Sequence, residues 1–308
     1  MQFEIALSNV LLTLFYIVPG YIICKMKKAS ADHLSTISSI LIYGCAPCLI
    51  ISSFLKLDFS LTDVGKMGLF FLITLLLQAA FMGLVFLLFR RRFADSKYRI
   101  LTIASVLGNV GFFGLPIVRA LVPDHPEVMC YSIIYVISMN ILVFTVGAFC
   151  ITGRKEFMTL RAGIFNPSMF GLVVAFPLYV IGAKSFLPDL LMDGVNLLGT
   201  MSTPLCMLIL GVRLATVPLR KLFCRPFIYL ICLGKLILFP LFCYGAVYFL
   251  PLDPAFKASI LILCATPCAS IILNLAEMHR SETELAANCV LVTTLLCFLT
   301  IPVLTLLL

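Results

Sequence analysis

The sequence predicts an all-α membrane protein with ten transmembrane helices, arranged as two inverted repeats of five. Hydrophobic residues make up 62% of the 308 residues and charged residues only 12%, and the mean hydropathy is +1.14. A water-soluble protein of this length needs far more polar surface. The apolar residues also fall into ten runs of about 20 residues, the length that crosses a bilayer, and the two halves of the chain resemble each other.

The ten runs define the predicted helices α1 to α10. They cover residues 5–24, 34–55, 66–89, 99–121, 128–151, 165–183, 190–212, 226–250, 255–276 and 284–307. Residues 1–24 carry Glu4 as their one charged residue and lack a basic segment, so we expect a retained helix and not a cleaved signal peptide. The connections are short, which leaves no room for a soluble domain between the helices.

Lysine and arginine residues set the orientation of the helices. Most of them lie in the loops that follow odd-numbered helices, including Arg90–Arg92 after α3 and Arg213, Arg220 and Lys221 after α7. The loops that follow even-numbered helices carry few. We therefore expect a multi-pass protein of the plasma (inner) membrane, with the odd-numbered loops in the cytoplasm and both termini on the non-cytoplasmic side.

The two halves share polar and proline positions at a nearly constant shift of 157 or 158 residues. Asparagines open α1 and α6, prolines interrupt α2 and α7, and prolines end α1 and α6. The pairs are Asn9 and Asn166, Pro47 and Pro204, and Pro19 and Pro177. We predict a first repeat over 1–152, a cytoplasmic connection over 153–164 and a second repeat over 165–308. Because each repeat has five helices, the second enters the membrane upside down.

The most informative segments are two helix breaks at matching positions. Helix α4 contains the string GNVGFFGLP at 108–116, and α9 contains CATPCAS at 264–270. Regular helix is not expected through such glycine and proline positions. At membrane depth, non-helical backbone is buried in protein or lines a cavity, and half-helix N-termini favour anions. The paired breaks predict a binding site at the bilayer midplane; the alternative is ordinary kinks that allow close packing. The candidate residues are Asn109, Gly111, Gly114, Pro116, Thr266, Pro267, Cys268 and Ser270.

Two polar residues on other helices are further candidates. Lys235 in α8 is the one charged residue well inside a predicted span, and burying it is costly without a partner. No Asp or Glu lies in the middle of a predicted helix, so the partner is a carbonyl, a hydroxyl or a substrate carboxylate. The alternative is that Lys235 ties α8 to broken backbone or extends to an interface. Asn140 in α5 is a pathway candidate, with interhelical hydrogen bonding as its alternative.

The sequence argues against several classes of function. We find no Ser/His/Asp grouping and no glycine-rich phosphate loop before a lysine, which argues against an enzyme or an ATP-driven pump. We expect no metal and no cofactor. The basic residues are too scattered for a nucleic-acid surface. The lack of Asp and Glu in the middle of the predicted helices argues against transport that is coupled to protons or sodium through buried carboxylates.

Four motifs together resemble the auxin efflux carrier family, part of the superfamily of bile acid and auxin carrier-like inverted-repeat transporters. They are GNVGFFGLP in α4, Asn166-Pro167 at the start of α6, STPLCMLILGVRL in α7 and TPCASIILNLAE in α9. That family includes plant auxin exporters and bacterial carriers of malonate- and malate-like carboxylates. The resemblance covers nearly the whole chain, with each motif in the expected helix.

The resemblance implies a secondary carrier of small organic anions, with efflux as the expected direction. In such carriers α4 and α9 are broken and cross at proline, the carboxylate sits beside the crossing, and a transport domain moves against a scaffold domain. By position, Asn109 and Pro116 match the crossover of α4, and Pro267 and Cys268 match that of α9. In the plant exporters that the sequence resembles, a longer polar side chain follows the proline that Pro267 matches. Cys268 departs from that pattern, which argues against an auxin-like substrate. The long hydrophilic loop of many plant members is replaced by residues 152–164.

A hypothesis from another class is a non-transporting membrane sensor, or a lipid- or small-ligand-binding protein, on the same scaffold. The expected partners are the lipid bilayer and a small organic anion, with a homodimer as a further expectation. The absence of any additional domain favours the carrier, because nothing beyond the ten helices would relay a signal.

Overall fold

The computed structural model describes residues 2–218, 222–223 and 225–308, and its secondary structure is helical throughout. Arg220 and Lys221, two of the basic residues that set the predicted orientation, lie outside the described residues. Within the described part there is no strand, only an isolated antiparallel bridge between Gly108 and Cys268. The predicted all-α class is therefore confirmed.

Among the residues that the structure describes, seven helices are long and apolar enough to cross a bilayer on their own. They are Gln2–Lys25 (α1), Leu34–Phe54 (α2), Leu61–Arg92 (α3), Val128–Thr152 (α5), Asp189–Thr216 (α7), Pro226–Tyr248 (α8) and Thr283–Leu307 (α10).

The other three predicted spans are occupied by shorter helices. Helix α4 consists of Ser96–Ala104 (α4a) and Val110–Leu121 (α4b), and α9 consists of Pro254–Cys264 (α9a) and Ser270–Met278 (α9b). Helix α6 is Pro167–Val180, preceded by a short helix at Leu160–Ile164. That all ten segments cross the membrane remains a prediction.

Polar caps fix where α6 and α9a begin. The Asn166 side chain accepts a hydrogen bond from the Met169 N–H at 3.0 Å, and the Asp253 side chain accepts one from the Ala255 N–H at 2.8 Å. In both helices a proline follows the cap, where its missing N–H costs nothing. Asn166 therefore opens α6 as predicted.

The corresponding prediction for Asn9 is wrong. Helix α1 begins at Gln2, and Asn9 lies inside it with its side-chain amide donating to the Ile5 carbonyl at 2.8 Å. The residues before the predicted start continue the helix, so no polar cap is needed at Asn9.

Three prolines inside spans are preceded by a wider π-helical turn. Each turn ends two residues before its proline: Ile40–Cys45 before Pro47, Val110–Gly114 before Pro116, and Gly234–Leu238 before Pro240. A proline has no N–H and its ring collides with the carbonyl four residues earlier. The wider turn accommodates that collision, so these helices continue through the proline.

The helices pack in two groups. In one group, the second half of α1 (Ile17–Lys25, α1b) packs against the second half of α7 (Ser202–Thr216, α7b), and α2 packs against α6 and the first half of α7. In the other, α3 packs on α5, α8 on α9a, and α9b on α10. The first half of α1 contacts α10 and α4b, so α1 connects the two groups.

Glycines allow α1b and α7b to approach closely. A Cβ at Gly211 would meet the Ile17 carbonyl oxygen and would lie 2.8 Å from the Tyr21 nitrogen, both of them backbone atoms. Backbone cannot yield as a flexible side chain does, and small residues are the usual solution at such helix contacts.

We expect Gly211→Ala to lower stability by about 1–3 kcal/mol, because the new methyl group forces these helices apart. Thermal unfolding of the purified protein in detergent measures this. Gly245→Ala is the matched control, since a Cβ at Gly245 meets nothing within 4 Å. An unfolding temperature for Gly211→Ala equal to that of the control would contradict the observed packing.

Candidate functional site

The non-helical segments of α4 and α9 cross each other. We call residues 105–109 and 265–269 the crossing. The Asn109 N–H donates to the Pro267 carbonyl at 2.8 Å, and the Ala269 N–H donates to the Leu107 carbonyl at 3.0 Å. These two bonds flank the bridge between Gly108 and Cys268. The predicted breaks in α4 and α9 are therefore present, and each supplies partners for the backbone of the other.

Side chains satisfy further backbone groups that the breaks release. Within α9, the Cys268 N–H donates to the Thr293 hydroxyl of α10 at 3.0 Å. The Cys268 thiol donates to the Ala104 carbonyl at 3.2 Å. Buried backbone groups without partners are costly, so these contacts explain how irregular backbone persists inside an apolar protein.

Lys235 also stabilises the backbone next to the crossing. Its ammonium group is fully buried and donates to the Cys264 carbonyl at 2.8 Å, at the end of α9a. It also lies 4.7 Å from the centre of the Phe239 ring. A Cβ on Gly108 would come within 3.0 Å of the ammonium nitrogen and would collide with the Thr266 hydroxyl. Lys235 thus pairs with a carbonyl, one of the partners its sequence position predicts, and Gly108 leaves the space for it.

A cavity of about 210 Å³ lies beside the crossing, between the two groups of helices. One wall comes from α2, α6 and α7, and the other comes from α4, α5 and α9. Most of the lining is apolar, with a small set of polar side chains, as is usual for small-molecule sites. The polar lining residues are Ser38, Asn109, Asn140, Asn166, Ser168, Cys206, Arg213, Ser270 and Asn274.

Two half-helix N-termini meet this cavity. Helix α4b begins after Asn109 and α9b begins at Ser270, and Val110, Gly111 and Ile271 also line the cavity. The first N–H groups of a helix have no partner within it, and the helix dipole places partial positive charge there. The arrangement favours an anion at this point.

Asn109 and Ser270 carry side-chain donors at the same place. Among the described residues, the Asn109 amide nitrogen donates a hydrogen bond only to the Cys206 sulfur, at 3.7 Å, and a thiol is a weak acceptor. The Ser270 hydroxyl is buried and has no hydrogen-bond partner in the described residues. Both side chains are therefore able to bind an oxygen-rich ligand without breaking a strong internal bond.

The predicted site residues divide between the cavity and the crossing. Asn109, Gly111, Asn140 and Ser270 line the cavity. The remaining candidates do not line it: Gly114, Pro116, Thr266, Pro267, Cys268 and Lys235 lie within α4b, in the crossing or behind it. Pro116 in particular lies inside the helix Leu115–Leu121, beyond the residues that cross.

Other cavity residues were not predicted as ligands. Both Cys206 and Arg213 lie in the motif STPLCMLILGVRL, which assigns neither of them a role, and Arg213 also contributes to the predicted orientation of the helices. Both lie on one face of α7b, at positions seven residues apart, which equals two helical turns. This spacing predicts that the two side chains share a helix face, but it identifies them as cavity residues only when α7b is known to face the crossing.

The sequence matches a family described as membrane transport protein over residues 5–305. An uncharacterized transporter of Methanothermobacter thermautotrophicus is 23% identical over 299 residues, which covers 96% of each chain. An uncharacterized transporter of Methanocaldococcus jannaschii is 22% identical over 297 residues, which covers 94% of each chain. These similarities extend over both helix breaks and the cavity between them.

Proposed function

Because the chain belongs to the membrane transport protein family, to which the auxin efflux carrier-like sequences belong, we propose that it is a secondary carrier of small organic anions such as mono- or dicarboxylates. Membership itself makes the protein a multi-pass membrane transporter. The type of substrate and the mechanism are the proposal, with efflux as the expected direction.

The observation that supports an anionic substrate is the meeting of two half-helix N-termini with two side-chain donors, one that is weakly bonded and one that has no partner in the described residues. In a mostly apolar cavity, a carboxylate loses its water and requires several hydrogen-bond donors in return. The ends of α4b and α9b, the Asn109 amide and the Ser270 hydroxyl supply them. Charge-assisted hydrogen bonds of this kind are stronger than neutral ones.

We propose alternating access as the mechanism. The cavity lies between the two groups of helices, so relative movement of the groups would open it to one side and then to the other. The ten spans and the inverted repeats of residues 1–152 and 165–308 form part of this proposal. Inverted repeats allow one architecture to adopt two mirrored open states.

The proposed topology makes the present state inward-facing. Ser38 near the start of α2, Ser168 at the start of α6 and Arg213 near the end of α7 all line the cavity. Each lies next to a loop that follows an odd-numbered helix, and those loops are assigned to the cytoplasm. The cavity therefore opens toward the cytoplasm in this proposal.

Cysteine labelling tests the orientation. In a background cleared of native cysteines, Ala94→Cys should resist an impermeant thiol reagent added to intact cells, because the α3–α4 loop lies inside. Ser185→Cys, in the exposed turn between α6 and α7, is the control that should react. Reaction of position 94 from outside would reverse the topology and the assigned facing of the cavity.

The rival function is a sensor or ligand-binding protein that does not transport. Radiolabelled uptake into proteoliposomes, across a panel of mono- and dicarboxylates, separates the two functions. A carrier moves at least one of these anions faster than protein-free vesicles do. Binding without movement of any of them would favour the sensor.

A further inference from the structure

Arg213 is the single charged residue among the described residues that line the cavity. Its guanidinium lies 2.6 Å from one oxygen of Glu277, and the second nitrogen lies 3.4 Å from the other oxygen. We propose that Arg213 is a second anion-binding residue of the cavity and that Glu277 is its counter-ion when no ligand is bound. This inference rests on the proposed function, since it concerns the same cavity and the same class of substrate.

Helix geometry places Arg213 at a defined distance from the crossing. Cys206 contacts Asn109, and Cys206, Ile209 and Arg213 occupy one face of α7b and line the cavity. At 1.5 Å per residue, Arg213 lies about 10 Å along the helix from Cys206. A long helical side chain leans toward the helix N-terminus, which shortens that distance at the guanidinium.

The facing helix repeats this arrangement. Ser270 lies at the start of α9b beside the crossing, Asn274 lines the cavity one turn later, and Glu277 lies two turns from Ser270. The cavity therefore has donors at one end, from Asn109 and Ser270, and an arginine at the other, with an asparagine between them. Two separated binding points fit a ligand with an anionic group at each end.

The ion pair is built so that one partner can be replaced. The Arg213 side chain is 17% exposed, whereas that of Glu277 is 42% exposed. Because water reaches the Glu277 carboxylate, it screens this ion pair and limits its contribution to stability, and Glu277 can return to water while Arg213 stays at the cavity. A substrate carboxylate offers the guanidinium the same paired oxygens, a geometry that arginine binds well.

The pair also joins the two groups of helices, because Arg213 belongs to α7b and Glu277 to α9b. An ordinary interhelical ion pair would explain that contact without any ligand. The two explanations differ in what removal of Glu277 does. If the ion pair is only structural, removing Arg213 and removing Glu277 have the same effect. If Glu277 competes with the ligand for Arg213, removing Glu277 strengthens ligand binding.

Succinate and butyrate are suitable probes, because both have four carbons and only succinate has a second carboxylate. Binding to the purified protein is measured by isothermal titration calorimetry. We expect Arg213→Gln to weaken succinate binding by about tenfold, the loss of one charge-assisted contact, and to change butyrate binding by less than about twofold. Glu277→Gln should strengthen succinate binding and leave butyrate binding unchanged. Arg225→Gln, which breaks a more exposed ion pair with Glu284 at 2.9 Å, is the control and should change the binding of neither probe.

Equal effects of Arg213→Gln on both probes, or a loss of succinate binding in Glu277→Gln as well, would overturn the inference. If wild-type protein binds butyrate through Asn109 but Arg213→Gln has no effect on succinate, only this inference fails. If wild-type protein binds and transports neither probe nor any other carboxylate of the panel, the proposed function fails and this inference with it.

Discussion

Asn109→Asp is expected to abolish carboxylate binding, and Asn109→Ala to weaken it by about 1–3 kcal/mol, the usual cost of a charge-assisted hydrogen bond. Asn109 lines the cavity, and among the described residues its amide nitrogen donates only to the weakly accepting Cys206 sulfur. An aspartate at this position has nearly the same shape. Its negative charge would occupy the N-terminal ends of α4b and α9b and would repel the incoming anion. Titration of the purified variants with succinate and butyrate measures the effect.

Folding must be separated from binding in this comparison. Thermal unfolding of each Asn109 variant reports stability, and Gln2→Glu makes the same exchange of an amide for a carboxylate at an exposed position at the start of α1, away from the cavity. The control should bind as wild type. The order of the carboxylate affinities decides the interpretation. If Asn109 binds the anion, wild type binds more tightly than Asn109→Ala, and Asn109→Ala binds more tightly than Asn109→Asp. Equal affinities in all three folded proteins would remove the anion site from α4b.

Lys235→Met is expected to destabilise the protein by at least about 1–3 kcal/mol, because it leaves the buried Cys264 carbonyl without a donor. Lys235 is fully buried, and its ammonium group donates to this carbonyl at 2.8 Å and lies 4.7 Å from the centre of the Phe239 ring. Methionine has a similar length, so little packing is lost. The unfolding temperature should fall, and transport should fall with the amount of folded protein.

Lys257→Met is the matched control. The Lys257 ammonium also donates to a backbone carbonyl, that of Tyr248 at 2.9 Å, but this bond is exposed to solvent. Water replaces the lost donor there, so stability should stay near wild type. A Lys235→Met protein that unfolds at the wild-type temperature and has lost only anion affinity would show that Lys235 binds the substrate.

The helices and the two breaks could be predicted because their causes are local. Long apolar runs are unambiguous, and glycines and prolines mark positions where regular helix is costly. The position of the crossing was less certain from sequence. The family resemblance places the crossover of α4 at Asn109 and Pro116. The π-helical turn at Val110–Gly114 accommodates that proline, and α4 and α9 cross at Gly108 and Asn109.

The contents of the site depend on contacts between distant parts of the chain. The sequence identifies Lys235 as a buried charge, but its partner Cys264 lies 29 residues away on another helix. The role of Arg213 depends on the face that α7b presents to the crossing. The excess of basic residues in cytoplasmic loops accounts for an arginine near a helix end. From the sequence alone, Arg213 therefore needs no role in binding.

The proposed carrier holds an anion in this cavity and moves it across the membrane. Counterflow tests this proposal most directly: proteoliposomes are loaded with an unlabelled carboxylate that binds the protein, and uptake of the radiolabelled form is followed for wild type and Asn109→Asp. A carrier predicts rapid exchange by wild type, because bound anion returns through the same cavity, and no exchange above protein-free vesicles by Asn109→Asp. Exchange at the wild-type rate in Asn109→Asp, or none in wild type despite binding, would contradict it.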